Sequence, residues 1–328
     1  MRHAYGDPKR GESYEYVNFY DSLVRLGHDV RLFDFMAETA AAGKGGMNRR
    51  LLAEAETFRP DLALFSLYTD QFDPAALDKL RKITKTLCFF HDDTWRVDFS
   101  REWAPRFDWF STPDYFGPEK YRRLGLNNAL HFPFGCNPGL FRKLDVPKTR
   151  DVTFVGEWHP WREWLIGRLR RAGIDAVGFG SRWPGGPLAL DAMVRVFNES
   201  RINLNFSNSA SWDARYLFSS PRAFVNRLRT AKTVEQLKGR HFEICATGSF
   251  QLSYYVEALE KYYELGSEIG VYVDPDDLVE KVRFYLKEEE TRERIAAAGR
   301  ARALRDHAFA TRFERVFRAI GLSAGGTA

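Results

Sequence analysis

Lys238-Gly-Arg-His-Phe-Glu-Ile-Cys-Ala-Thr-Gly-Ser-Phe250 sets two cations, Lys238 and Arg240, and one carboxylate, Glu243, just ahead of a turn centred on Gly248 and Ser249. Phosphate oxygens take Lys and Arg donors, best near free helix N-terminal amides, and the hydroxyls of a ribose take a carboxylate that accepts two hydrogen bonds. Both kinds of partner stand here within about one helical turn. Farther on, Glu268-Ile-Gly-Val-Tyr272 reads as an acidic turn that runs into a short strand.

Outward from this stretch, apolar runs bounded by turn residues alternate with segments of 3.6-residue period, which predicts βαβ units and parallel sheets. In the first half the strand segments are 29–35 (DVRLFDF), 61–67 (DLALFSL), 86–90 (TLCFF), 109–111 and 130–132, with helical patterns over 14–26, 48–58, 74–84 and 118–124. Only an apolar stub precedes the loop Gly6-Asp-Pro-Lys-Arg-Gly11, so a first strand there is clipped. The pattern restarts after Asn137-Pro138 and the polar stretch 143–150. Strands are predicted at 151–156 (DVTFVG), 176–179, 202–206 and 271–273, and helices at 161–172, 188–200, 234–245, 254–265, 275–287 and 288–306. The expectation is an α/β chain of two Rossmann-like parallel-sheet domains, 1–145 and 146–307, facing across a cleft. Ligands of such sheets bind beyond the carboxyl ends of the strands, which directs attention to the loops that follow them.

Charge narrows the ligand. The net charge is +5, and the segment 208–241 alone carries seven Lys and Arg against Asp213 and Glu235, so its excess equals that of the whole chain. Such a cluster suits a nucleotide diphosphate, an anionic membrane surface or nucleic acid, with a solvated helix face as the plain alternative for its outer members. No leader-like apolar core and no run of about 18 apolar residues occurs, so a cytoplasmic protein without a transmembrane segment is expected. Cys88, Cys136 and Cys245 are far apart and odd in number, which speaks for reduced buried thiols rather than a disulfide framework or a zinc site. The loop at Gly6–Gly11 is neither a dinucleotide fingerprint nor a Walker motif.

Several residues stand where chemistry would be placed. Glu235 and Glu243 lie just over two turns apart if their helix is continuous, which would put both on one face. Gly156 closes the strand DVTFV, and Arg162 on the next helix could reach a diphosphate; a surface Arg is the plain alternative. Gly248 would either turn backbone amides towards phosphates or cap a helix. His91-Asp92-Asp93 follows the strand TLCFF and should emerge at its carboxyl end. Three uses compete: His91 or Asp92 as a base, adjacent acids as Mg²⁺ ligands, or Asp93 as a cap of the next helix or turn.

Residues 234–317 resemble the C-terminal half of GT-B glycosyltransferases, in particular a group 1-like branch related to spore-maturation-type proteins. The resemblance is carried by 238–250, by Ser267-Glu-Ile-Gly-Val-Tyr, by Asp277-Leu-Val-Glu-Lys-Val-Arg-Phe-Tyr-Leu, by Arg294-Ile-Ala-Ala-Ala-Gly-Arg and by His307-Ala-Phe-Ala-Thr-Arg312. The first half fits more diffusely through Gly11-Glu-Ser-Tyr-Glu-Tyr, Leu26-Gly-His-Asp-Val and His91-Asp-Asp. The resemblance implies that Glu243 binds the ribose of a nucleotide sugar and that Glu235 matches the first Glu of the Glu-x7-Glu pattern of retaining members. It also implies that the helix over 308–328 crosses back to brace the first domain.

The function this implies is transfer of a sugar from a nucleoside-diphosphate donor to a hydroxyl acceptor, with Arg240, Lys238 and nearby amides stabilising the diphosphate and no metal or other cofactor. An intact Glu235/Glu243 pair favours retention of configuration, and His91 or Asp92 as base would favour inversion. An epimerase or hydrolase on the same fold is one alternative. A nucleic-acid binder using the basic segment with Trp212, Tyr216 and Phe224 is another.

Overall fold

Strands of a parallel sheet are buried on both faces and read as near-continuous apolar runs, and two sets of such runs organise this chain. The computed structural model describes residues 1–207, 209, 211–230, 232 and 235–322. These form two compact units: residues 1–133 with the C-terminal segment from 309, and residues 134–308. The division after Pro133 falls ahead of the polar stretch 143–150, where the sequence pattern put it. Phe134, Cys136 and Phe141 are already buried, and the Cys136 amide donates to the His307 carbonyl within the second unit.

The first unit holds a four-stranded parallel sheet in the order β1 (Leu62–Ser66), β2 (Lys85–Phe89), β3 (Trp109–Thr112), β4 (Ala129–His131). Its helices are α1 (Asp21–Arg25), α2 (Phe35–Phe58), α3 (Pro74–Leu80), α4 (Val97–Trp103) and α5 (Gly117–Arg123). One face of the sheet packs Phe65, Cys88 and Phe110 against Met47, Leu51, Leu77 and Leu80.

The strand predicted over 29–35 is not formed. The Asp34 carboxylate accepts from the amides of Met36 and Ala37, so the apolar run DVRLFDF ends as the cap of a helix. That helix, α2, includes the predicted 48–58 pattern and is interrupted at Gly43, whose φ is +66°. The predicted helix over 14–26 splits into a π-helical stretch, Tyr16–Tyr20, and α1.

The second unit holds a five-stranded parallel sheet of β5 (Arg150–Val155), β6 (Ala176–Phe179), β7 (Ser200–Asn205), β8 (Gln251–Tyr254) and β9 (Gly270–Tyr272), in the order β6-β5-β7-β8-β9. Its helices are α6 (Pro160–Arg171), α7 (Leu190–Glu199), α8 (Ala214–Leu217), α9 (Pro221–Arg229), α10 (Arg240–Ala246), α11 (Pro275–Lys287) and α12 (Glu289–Asp306). Val152, Phe154, Ile202, Leu204 and Leu252 line its apolar face, covered by Leu165, Leu169, Leu278 and Val282.

The opposite face is polar and buried, which is costly unless every group is bonded. Thr153 Oγ1 bonds Ser200 Oγ at 2.8 Å, and Asn203 Nδ2 donates to the Phe197 carbonyl at 3.0 Å. Gln251 Nε2 donates to the Arg240 carbonyl at 3.1 Å, and Ser253 Oγ meets His241 Nε2 at 3.1 Å. The alternation of β8 therefore turns Gln251 and Ser253 towards α10 while Leu252 enters the apolar core.

Two predicted helices are corrected here. The segment 254–265 is not helical beyond a short 3₁₀ turn at Leu259–Lys261, because its first residue is claimed by β8 and the following chain is a loop. The predicted helix over 234–245 starts only at Arg240, and its first residue, Val234, lies outside the described residues.

The final helix, α13 (Phe309–Ala319), belongs to the first unit. Phe309, Arg312, Phe313, Val316 and Phe317 are buried at helical spacing. Phe309 and Phe313 close over the second face of the first sheet. Phe19 lies 4.9 Å from Phe89 and 5.1 Å from Phe309, and Phe132 lies 5.2 Å from Phe313.

Candidate active site

In the second unit the sequence-chosen residues gather at the carboxyl edge of the sheet, with two exceptions. The first group is built on α10. Glu243 is buried, and its carboxylate is paired with Arg240 Nη1 one turn earlier on the same helix. Arg240 also lies by the end of β5, its Nε donating to the Val155 carbonyl at 3.4 Å, and its guanidinium covers the Phe197 ring. The helix is held to β8 through its own backbone and His241. Burial, opposed by the hydrogen bond to the Lys238 backbone and aided by the Lys238 charge, pushes the His241 imidazole down to about 4, so it is neutral at pH 7. Its Nδ1 lies 3.0 Å from both the amide nitrogen and the carbonyl oxygen of Lys238, which fixes the chain on which that lysine is carried.

The second group centres on Arg162. Its Nη1 donates to the Glu157 carbonyl at 2.7 Å and its Nη2 to the Phe206 carbonyl at 3.0 Å. Carbonyls beyond the ends of parallel strands need donors, and Arg162 ties together the loops after β5 and β7. Burial pushes its guanidinium down to about 10, opposed first by the charge of Glu235. Glu235 accepts from Ser207 Oγ at 2.7 Å. It sits in irregular chain ahead of α10, so the two carboxylates do not share a helix face as their spacing suggested; the sheet edge brings them into one region instead.

Gly156 is used in packing. Its amide donates to Phe179, its carbonyl accepts from Trp183 Nε1 at 3.0 Å, and a Cβ would meet Phe154 Cζ at 2.7 Å.

Gly248 and Ser249 are the exceptions. Gly248, at φ +70°, follows the C-terminus of α10 and donates its amide to the Cys245 carbonyl, and Ser249 accepts from Thr247 Oγ1 at 3.0 Å. At 1.5 Å per residue this end lies about 10 Å along the helix from Arg240. Of the two uses open to Gly248, the structure places it in the capping one.

The first unit has a cluster of its own at the carboxyl ends of β1 and β2. His91 Nε2 lies 2.9 Å from Glu15 Oε1 and 2.7 Å from Ser66 Oγ, and Ser66 donates to the same Glu15 oxygen at 3.0 Å. Burial would raise the Glu15 carboxyl, but the hydrogen bond and charge of His91 hold it down at about 2. Neither Glu15 nor Ser66 was singled out in the sequence, although Ser66 ends the strand DLALFS and Glu15 lies inside Gly11-Glu-Ser-Tyr-Glu-Tyr.

Asp92 accepts the amides of Trp95 and Arg96 through its carbonyl. Asp93 is not a helix cap: α4 starts at Val97 after Arg96, and the Asp93 carboxyl is buried, accepting from Tyr121 Oη at 3.0 Å. Among the described residues no group of three His, Cys, Asp or Glu gathers as metal ligands would.

Residues 162–318 match the family model described as glycosyl transferase-like. The fold is shared with solved structures. Sucrose-phosphate synthase from Thermosynechococcus elongatus matches with a TM-score of 0.57 at 12% identity, over 85% of this chain and 78% of that one. HepE of Anabaena, in complex with UDP and glucose, matches with a TM-score of 0.58 at 10% identity, over 84% and 81%. The chain has the GT-B fold.

A third structure similar to this chain is the pneumococcal O-GlcNAc transferase GtfA in complex with UDP and GlcNAc, with a TM-score of 0.53 at 10% identity, over 85% of this chain and 60% of that one. Among curated proteins no sequence matches this chain. The family match includes Arg162, Glu235, Arg240 and Glu243, whereas the His91 cluster lies outside it. Among the described residues, no helix is long and apolar enough to cross a membrane.

Proposed function

We propose that the protein transfers a sugar from a nucleoside-diphosphate donor to a hydroxyl acceptor, with the donor held at the carboxyl edge of the second sheet. The observation that carries this is the buried Glu243 carboxylate with Arg240 at the start of α10, beside the end of β5. Two carboxylate oxygens match two vicinal ribose hydroxyls, and a guanidinium that can leave them matches a diphosphate. UDP in the HepE and GtfA structures supports a nucleotide donor of that kind.

In this proposal Glu243 accepts from the ribose, Arg240 turns from Glu243 to the diphosphate as the donor enters, and Lys238 adds a second cation. Glu235, held by Ser207 and facing Arg162, accepts from hydroxyls of the sugar. The bond from the anomeric carbon to the diphosphate oxygen breaks, the bond to the acceptor oxygen forms, and the two cations stabilise the departing charge without a metal. Activity should therefore persist in EDTA.

With Glu235 on the sugar the anomeric configuration is retained. A second outcome is favoured by the contact of His91 with Glu15, a carboxylate that would stabilise a protonated imidazole. There, His91 takes the acceptor proton and configuration inverts. The anomeric signal of the first-formed product in NMR decides between the two.

Thermal unfolding of the purified protein with UDP, GDP, ADP, CMP and the corresponding sugars tests the donor site. A ligand at about 100 times its dissociation constant adds about 2.7 kcal/mol. One nucleotide class should raise the midpoint, and Glu243→Gln and Arg240→Ala should abolish that rise. A folded protein that no nucleotide stabilises would contradict the proposal.

A further inference from the structure

We infer that the α8–α9 hairpin is a docking surface for an anionic lipid bilayer. Both helices lie between β7 and α10, and their inner faces are already occupied. Tyr216 is buried against Trp161 and Trp164, Ala223 is buried, and Asn226 Nδ2 donates to Tyr216 Oη at 3.3 Å. The outer face is apolar nonetheless. Phe218 is 89% exposed, Leu228 62%, Phe224 51% and Val225 42%. Phe224, Val225 and Leu228 fall at i, i+1 and i+4 of α9, so they form one contiguous strip, and Phe218 precedes them in the turn from α8. Left in water, this strip gains nothing from burial, which is the mark of an interaction face.

Charge identifies the occupant. No Asp or Glu occurs from Ala214 to Thr230, and Arg222, Arg227 and Arg229 flank the strip. Apolar side chains on one face with arginines beside them suit the boundary between acyl chains and anionic headgroups. Nucleic acid fits less well. Valine and leucine offer bases no ring to stack on, and Tyr216, one of three aromatics available in the sequence for stacking, is buried. The surface is also preformed: Ser220 Oγ accepts from the Ala223 amide and caps α9. Arg222 lies over the Trp158 ring at 4.8 Å, so the hairpin adjoins the loop that leads into α6, the helix that carries Arg162. Seated on a bilayer, it would bring that edge of the sheet to the membrane.

Flotation of the full-length protein with phosphatidylcholine vesicles, with and without phosphatidylglycerol, at low and high salt, tests the inference. The expected result is binding to the anionic vesicles at low salt and weak binding to the neutral ones. A Phe224→Ser/Leu228→Ser protein should lose at least about tenfold in partition, since two exposed side chains no longer enter the acyl region. An Arg222→Gln/Arg229→Gln protein should lose about 25-fold, about fivefold for each arginine. Melting curves matching the parent confirm that these exposed substitutions leave the fold intact. Failure of the folded parent to bind anionic vesicles overturns the inference, as does undiminished binding by the Phe224→Ser/Leu228→Ser protein. Binding of mixed-sequence RNA in place of vesicles overturns it as well. None of these results depends on a nucleotide donor, so they stand apart from the donor-site test.

Discussion

Arg240 and Glu243 form an ion pair one turn apart on α10 in which the carboxylate side chain is 1% exposed and the guanidinium side chain 30% exposed. The two partners are therefore unequal. Removing Arg240 takes a compensating charge from a buried carboxylate, whereas removing the charge of Glu243 leaves an arginine that can turn to water. Arg240→Ala should lower the unfolding free energy by on the order of 3 kcal/mol, and Glu243→Gln by clearly less. Urea denaturation of both proteins checks this; equal losses would mean that the pair is open to solvent.

The contact of Glu15 with His91 sets an acid limit on the first unit. The Glu15 carboxyl is held at about 2 in the fold against an ordinary value of 4.5. A depressed carboxyl contributes stability that is present above its unfolded value and lost as pH falls towards its folded one. The melting temperature should thus drop between about pH 4.5 and 2, and Glu15→Gln should show a shallower drop over that window. Parallel acid profiles of the two proteins would remove Glu15 from this role.

Asp93 has the opposite sign. Burial, opposed by bonds from Thr112 and Tyr121 and aided by the nearby Asp114, pushes its carboxyl up to about 7 from 3.8. Between these values the fold holds a proton that the unfolded chain has released, so stability falls as pH rises from about 4 to 7. Asp93→Asn keeps an acceptor for Tyr121 and should flatten that decline, which melting temperatures across the range will show. A decline as steep as the parent's would mean that Asp93 is already ionised at pH 4.

Gly248 separates a helix cap from a phosphate loop. A side chain at φ +70° is strained, and a Cβ would stand 2.9 Å from Arg300 Cδ. Gly248→Ala should cost about 1–2 kcal/mol of stability while leaving the nucleotide-induced midpoint shift unchanged. Loss of that shift in a folded protein would instead put the Gly248 amide on the donor.

Much of the fold was legible because strands of a parallel sheet are covered on both sides and so write themselves as apolar runs. The segments 61–67, 86–90 and 151–156 were visible for this reason, as was the restart of the pattern in the second half. β8 was not, since Gln251 and Ser253 are satisfied by α10 and break the run. DVRLFDF misled in the other direction: its pattern is strand-like, yet Asp34 caps a helix there.

The residue types of the site were present in the sequence, and its assembly was not. Lys238, Arg240, Glu243 and their turn could be read locally because one helical turn brings Arg240 to Glu243. The meeting of Glu15 with Ser66, 51 residues apart, and of Ser66 with His91, 25 apart, depends on β1 and β2 lying side by side. The contact of Glu235 with Ser207 likewise depends on β7 ending beside the chain that leads into α10. Sequence alone determined the α/β alternation and the chemistry of the diphosphate-binding candidates, because periodicity and charge are properties of neighbouring residues. Tertiary structure decided which carboxylates are buried, which glycine is a cap and which apolar side chains face water, because burial and ion pairing depend on residues that only the folded sheets bring together.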